Sequence, residues 1–229
     1  MYINAGSIFQ NAIESCQELS ADGLTFAQIQ RRSLAAILFS TISAEAFINE
    51  LHYLSCSWAD EVDSPGWTKA LCEMLGESER SRASIESKYH LAKFILSGEP
   101  FDKSANPFQT FALLVDVRNL IVHAKPLEAV IRKNERGEYV WAEPKVMVRL
   151  QEMKVVNADG LLTRVVLEHG PESVITDLAT QISTQATAKW ACKAASGIVN
   201  AVLDVIPNKL SPVADLLYRK SFIIPDDFR

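Results

Sequence analysis

Apolar residues recur at helical intervals along most of the chain and predict a mainly α-helical protein. From position 26 to about 57 there is neither Gly nor Pro, and apolar residues fall three or four positions apart. This pattern predicts a helix about 45 Å long at ~1.5 Å per residue, with Thr25 as its N-cap. Small residues would let a neighbouring helix approach closely, and they are Ala35, Ala36, Ser40, Ser43, Ala44 and Ala46.

The same periodicity predicts further helices whose ends coincide with Gly, Pro or polar runs. They cover residues 7–19, 67–75, 84–97, 107–125 and 183–207. The stretch "GESERSRASIES" is interpreted as a polar connector or the start of a helix. Beyond Pro126 the pattern is less regular, because "GEYVWAEP" suits either a short strand or irregular chain. Residues 144–156 favour a helix over a strand, and the segment that follows to about position 172 is ambiguous.

Composition is ordinary for a soluble globular protein, with 48% hydrophobic and 22% charged residues. The net charge of −5 excludes a polycation that binds nucleic acid over its whole surface. A basic segment nevertheless begins inside the 107–125 helix and is either a solvated face or a local anion-binding surface. Its Lys and Arg residues are Arg118, Lys125, Arg132, Lys133, Arg136, Lys145, Arg149 and Lys154.

Four cysteines lie far apart in the sequence, without a CxxC pair. We expect free thiols in a reducing compartment that pack as small hydrophobes, and neither a metal site nor a cofactor. The N-terminus lacks the pattern of a secretory signal. The most apolar window, "LAAILFSTISAEAFI", is fifteen residues long and includes an acid, so no membrane span is expected. Together these features predict a cytoplasmic protein.

The stretch "LLVDVRNLIVHAKP" combines a nearly apolar helix with a cluster of polar residues. Asp116, Asn119 and His123 share one face of the 107–125 helix, while Arg118 flanks them and Lys125 lies two turns further along. Buried polar groups need partners, so these residues are either satisfied inside a core or line a cleft. A permanent cation, a base that titrates near neutral pH and an amide are groups that suit phosphodiester chemistry.

Three stretches of this chain resemble the HEPN superfamily (higher eukaryotes and prokaryotes nucleotide-binding). "RNLIVH" matches its Arg–polar–x–x–x–His signature, "TISAEAFINELHYLS" is similar to its second helix, and "NPFQTFALLVDVRNLIVHAKP" is similar to its motif-bearing helix. The resemblance covers residues 30–57 and 88–126, and more loosely 183–207. It implies an up-down helical bundle, and we expect one such domain over 1–229 with a C-terminal helix. The residue pattern around "GEYVWAEP" adds an irregular or small β segment to this bundle. An insertion at about 127–172 has no counterpart in the family.

Many members of this family look like metal-independent endoribonucleases of toxin–antitoxin or antiviral defence systems. They are usually dimeric, with the motifs of two subunits facing one shared cleft, so the resemblance implies a homodimer. The resemblance implies that His123 activates the ribose 2′-hydroxyl of RNA, that Arg118 stabilises the phosphorane and that Asn119 orients the site. An antitoxin or a nucleotidyltransferase is the further partner it implies, with no membrane. Some members carry a Tyr two residues after the His, where this chain has Lys125.

Two other functions stay open from the sequence. One is a catalytically inactive module that binds nucleotide, RNA or a partner protein, and the other is a purely structural helical scaffold.

Asp116 and Lys125 are expected to support the site, as is Glu45, whose matching position in the family often carries an acid. Glu45 either holds Arg118 through an ion pair or hydrogen bond, or takes a direct catalytic part. With Asn49 and His52 it forms a polar stripe at positions i, i+4 and i+7.

Overall fold

The computed structural model describes residues 4–61, 63–123, 130–133, 139–142, 145–156, 178–207 and 211–228. This part of the chain is mainly α-helical, as predicted. Its helices are α1 Ala5–Gln17, α2 Phe26–Ala59, α3 Gly66–Arg80, α4 Ile85–Ser97, α5 Phe108–Val122, α6 Lys145–Glu152, α7 Leu178–Gln181, α8 Gln185–Leu203 and α9 Ser211–Ala214. Strands β1 Val130–Lys133 and β2 Tyr139–Ala142 pair antiparallel, with Val130 opposite Ala142.

The long helix α2 lies at the centre of the packing and contacts α1, α3, α4, α5 and α8. It begins where the sequence predicted, because the Thr25 hydroxyl accepts from the backbone N–H of Gln28 while the Gln28 side chain accepts from the backbone N–H of Thr25. This reciprocal pair satisfies two donors that a helix N-terminus would leave free. The helix ends at Ala59, two residues beyond the predicted end.

Small side chains allow α2 and α8 to pack closely, which confirms the sequence prediction. Ser40 of α2 is fully buried, and its hydroxyl donates to the Cys192 thiol of α8 at 3.6 Å. On either side of Cys192, α8 presents the buried Ala191 and Ala195. Because none of these residues carries a long side chain, the two helix backbones can approach closely.

An aromatic cluster joins the central helix to three other parts of the chain. The Phe47 ring of α2 lies 5.0 Å from Tyr218 and 6.2 Å from Phe222, centroid to centroid. Tyr89 of α4 lies 6.3 Å from Phe47 and 4.9 Å from Phe111 of α5. The Tyr89 hydroxyl also donates to the backbone carbonyl of Ala44 at 2.8 Å. The cluster therefore fixes α4, α5 and the C-terminal segment on α2.

Length and composition make α2 suitable for a membrane span, and it is the one such helix in the described part of the chain. Core helices of soluble proteins meet the same criteria of length and composition, so the expectation of no membrane span stays a prediction. Half of its most apolar window is buried inside the fold, as in the core helix of a soluble protein. A cytoplasmic location stays a prediction.

Helix α3 is longer than the sequence predicted. Helix α3 continues to Arg80, so the first part of the predicted polar connector is helical. A Cβ added at Gly76 would lie 3.2 Å from Nε2 of His52, and glycine thus permits the close contact between α3 and α2. Helix α6 confirms the helix favoured within 144–156.

Part of the predicted insertion at about 127–172 packs on the helix that carries the sequence motif. Met147 and Leu150 of α6 are buried, and α6 contacts α5. Within this insertion, residues 127–129, 134–138, 143–144 and 157–172 lie outside the described residues. Within the described part, α6 thus shares the core of the other helices.

Replacement of Phe47 by Ala should destabilise the fold strongly, because the ring is fully buried among three other aromatic rings. We expect the free energy of unfolding to fall by about 3–5 kcal/mol, measured by urea denaturation. Phe94→Ala is the matched control: the Phe94 side chain is 51% exposed, so its loss should change the free energy by less than about 0.5 kcal/mol. Equal losses of unfolding free energy in the two variants would show that Phe47 does not belong to the core.

Candidate functional site

Helix α5 is buried in its first turns and becomes exposed towards its C-terminus. Phe111 and Leu114 are fully buried, whereas Val122 is 54% exposed. The helix ends at Val122, three residues before the predicted end, and the backbone N–H of the exposed His123 donates to the Asn119 carbonyl at 3.1 Å. His123 is thus the C-cap residue of α5 and is open to solvent. Lys125, predicted to support the site, lies outside the described residues.

Arg118 connects the end of α5 to the middle of α2. Its Nη2 donates to Oε2 of Glu45 at 3.1 Å, and its Nη1 donates to Oδ1 of Asn119 at 3.0 Å. The Arg118 side chain is 27% exposed and that of Glu45 is 41% exposed. Of the two roles that the sequence left open for Glu45, the ion pair with Arg118 is present in the structure. It is a partly exposed pair, so it sets the direction of the guanidinium more than it stabilises the fold.

The polar stripe on α2 meets three different helices. Glu45 contacts α5, whereas Asn49 accepts a hydrogen bond from Nζ of Lys88 in α4 at 3.3 Å. Lys88 also forms an ion pair with Glu79 of α3. His52 lies beside α3 as well. The polar stripe predicted on α2 is therefore present, but each of its three residues contacts a different helix.

Asp116 pairs with α6. Its Oδ2 accepts from Nη1 of Arg149 at 3.2 Å, and Nη2 of the same Arg149 donates to the Gln109 carbonyl at 3.4 Å. Burial is the main cause that raises the pKa of Asp116; Arg149 opposes the rise and Glu86 adds to it. Among the described residues no contact joins Asp116 to Arg118, so Asp116 holds α6 on α5.

The expectation of four free thiols is wrong for two of them. Cys56 of α2 and Cys72 of α3 form a disulfide, while Cys16 and Cys192 are free and buried. The imidazole of His52 lies within 4.8 Å of both sulfur atoms. The signal that sequence reasoning missed is the spacing of His52 and Cys56, which places both side chains on one face of a helix.

A separate cavity of about 360 Å³ lies between the start of α4 and α5. None of Glu45, Arg118, Asn119 or His123 lines it. Its walls are formed by Ser84, Glu86, Ser87, His90, Leu91, Lys103, Phe108 and Ala112. The described residues of the candidate site therefore occupy a different part of the surface.

Comparisons with protein-family models, with curated proteins and with solved structures each find no match. The fold and the site define the class of protein in structural terms: a mainly α-helical protein in which a central helix presents a carboxylate to an Arg near the exposed end of a second helix. The likeness to the HEPN superfamily rests on the sequence motif and is developed below as a proposal.

Removal of Arg149 should raise the pKa of Asp116 further, because Arg149→Ala deletes the cation that opposes burial. The measurement is a carboxyl-carbon NMR titration, with Arg82→Ala as the control, since Arg82 is exposed. The folded chain binds more protons than the unfolded chain at pH values between the ordinary Asp pKa and the raised one. The contribution of Asp116 to stability therefore falls as pH rises through that window. A lower pKa in Arg149→Ala would contradict the assigned pair.

Proposed function

We propose that this protein is a metal-independent endoribonuclease of the HEPN type that serves as a toxin or an antiviral defence component. The observation that carries the proposal is the arrangement at the end of α5. There the Arg118 guanidinium is held by Glu45 and Asn119, and His123 follows one turn after Asn119 at an exposed position. A fixed cation and an accessible base at one helix end are the groups that RNA cleavage through the 2′-hydroxyl needs.

His123 acts as the general base in this proposal. It removes the proton of a ribose 2′-hydroxyl, the 2′-oxygen attacks the adjacent phosphorus, and the bond to the 5′-oxygen breaks as that oxygen takes a proton from solvent. The nucleophile belongs to the RNA itself, so this step needs neither an activated water nor a metal. The products end in a 2′,3′-cyclic phosphate. Exposure of His123 allows a nucleic acid strand to reach the imidazole.

Arg118 binds the phosphate as negative charge builds on its oxygens. A guanidinium has five N–H donors, and the contacts with Glu45 and Asn119 use one on each terminal nitrogen. The remaining donors are available to a phosphate in the two-pronged geometry that Arg favours. Glu45 and Asn119 thus act as positioning residues that keep the guanidinium in one orientation.

The ion pair with Glu45 also favours a second candidate, a catalytically inactive module that binds nucleotide, RNA or a partner protein. Glu45 neutralises the charge of Arg118 within the chain. A phosphate must therefore compete with a carboxylate for the same guanidinium. Under this alternative Arg118 is mainly structural, and RNA binds without being cut.

Cleavage in the presence of chelator is the expected outcome for the leading proposal. Purified protein incubated with mixed RNA in EDTA should yield fragments with 2′,3′-cyclic phosphate ends, and His123→Ala should remove this activity. Arg118→Lys should reduce the rate of cleavage by roughly 10²-fold or more. Lys keeps the positive charge but lacks the paired N–H donors with which a guanidinium binds phosphate. Lys125→Ala should have a much smaller effect, since it contributes only phosphate attraction that salt weakens.

Arg31→Lys is the matched control for Arg118→Lys, because Arg31 is an exposed residue of α2 away from Glu45. DNA and RNA with 2′-O-methyl groups at the cut site should remain intact, because they lack the free 2′-hydroxyl. Comparable cleavage of DNA, or a Lys125 effect as large as that of Arg118, would assign the chemistry to other residues. Retention of RNA without any cut would favour the inactive module.

A homodimer is the expected assembly, since it would bring two sets of the proposed catalytic groups together. Two exposed apolar residues flank the site: Ile42 lies one turn before Glu45 and is 40% exposed, and Val122 precedes His123. Light scattering at tens of micromolar should give the mass of a dimer, and the double variant Ile42→Glu, Val122→Glu should give a monomer. Leu216→Glu is the control, at a side chain 73% exposed elsewhere. A monomeric wild-type chain would count against this assembly.

A further inference from the structure

We propose that His52, Cys56 and Cys72 form a site for Zn²⁺ when the two cysteines are reduced, and that the Cys56–Cys72 disulfide is the alternative, metal-free state of the same site. This inference is independent of the proposed ribonuclease function. It rests on three potential ligands that the packing of α2 on α3 brings together. None of the three contributes to the Arg118 site.

Two of the three ligands come from adjacent turns of one helix. His52 and Cys56 are four residues apart on α2, so both side chains extend from the same face towards α3. Cys72 of α3 completes the set, and its Cα lies 4.8 Å from the Cα of Cys56. Ligands on two packed helices are held in place by the core, which reduces the ordering cost of binding an ion.

The distances suit a tetrahedral ion. One ligand atom from each of the three residues can be chosen so that all lie within 4.8 Å of one another. Around a tetrahedral Zn²⁺, with Zn–S near 2.3 Å and Zn–N near 2.0 Å, the two sulfur atoms are about 3.8 Å apart and each lies about 3.5 Å from the nitrogen. Once the disulfide is reduced, the two sulfur atoms need only separate to that spacing, a change that side-chain rotation can supply.

Close packing around the imidazole fixes one wall of the site. Gly76 faces His52, and a Cβ at that position would lie 3.2 Å from Nε2 and 3.8 Å from Nη1 of Arg80. The absence of a side chain at Gly76 therefore leaves room for the ring between α2 and α3. His52, Cys56 and Cys72 are all partly exposed, so an ion can enter and a water molecule can take the fourth position.

The ligand types select the metal. Two thiolates and one imidazole are soft to intermediate ligands that favour Zn²⁺ over Mg²⁺ or Ca²⁺, which require oxygen. Zn²⁺ binds thiolate, so metal binding releases the thiol protons. The proposal thus departs from the sequence expectation of no metal site, because the fold brings His52 close to the two cysteines.

Oxidation and metal binding compete for the same two sulfur atoms. With oxidised glutathione as the oxidant, the two thiols lose two electrons and two protons, the Cys56–Cys72 bond forms, and two molecules of reduced glutathione are released. The disulfide has no thiolate left for the ion. Zn²⁺ therefore protects the reduced pair, and oxidation expels the ion.

The test uses the full chain in two redox states. Protein reduced with a phosphine and freed of reductant without air is titrated with Zn²⁺ against a chromogenic chelator. We expect one Zn²⁺ per chain in the reduced protein and none after treatment with oxidised glutathione, and renewed reduction should restore binding. His52→Ala and Cys72→Ser should each weaken binding by at least about 10-fold. Cys192→Ala is the control with unchanged affinity, because Cys192 is a buried free thiol in another part of the core.

A second measurement guards against a variant that fails to fold. Co²⁺ replaces Zn²⁺ in the wild-type protein, and its thiolate charge-transfer bands report sulfur ligation directly. Appearance of these bands in the reduced state and their loss on oxidation support the site, whatever the folding of the variants. Reduced wild-type protein that binds Zn²⁺ no better than oxidised protein, or Co²⁺ spectra without thiolate bands, would overturn the proposal.

Discussion

Close packing of small side chains between α2 and α8 is the constraint on which the rest of the structure depends. Ser40 and Cys192 meet at the contact, and neither is large enough to separate the two helices. With α8 in place, α2 also contacts α1, α3, α4 and α5. The polar residues of α2 can then reach partners on different helices.

Stability and the proposed chemistry depend on different residues. The aromatic cluster around Phe47 removes large apolar surfaces from water, and burial of this kind dominates folding energy. The Glu45–Arg118 pair is partly exposed, and such pairs contribute about 0–1 kcal/mol. The main effect of this ion pair is to orient the Arg118 guanidinium. A change at Glu45 can therefore alter function with little effect on the fold.

The two proposed sites share one helix without sharing residues. Glu45 and Cys56 are eleven residues apart on α2, which corresponds to about 16 Å along its axis. Asn49 and Lys88 form a contact between them and connect α4 to the same face of α2. Along α2, the contact between Asn49 and Lys88 therefore lies between Glu45 and the cysteine pair.

The sequence by itself determined the helices, because periodicity and caps act within a few residues. The start of α2 at Thr25, the stop of α4 at Gly98 and the stripe containing Glu45 follow from local patterns. Only the tertiary structure decided which helices touch. It assigned Asp116 to Arg149, joined Cys56 to Cys72 and turned Glu45 towards Arg118. These contacts join residues 16 to 73 positions apart, and their formation depends on packing that no local pattern encodes.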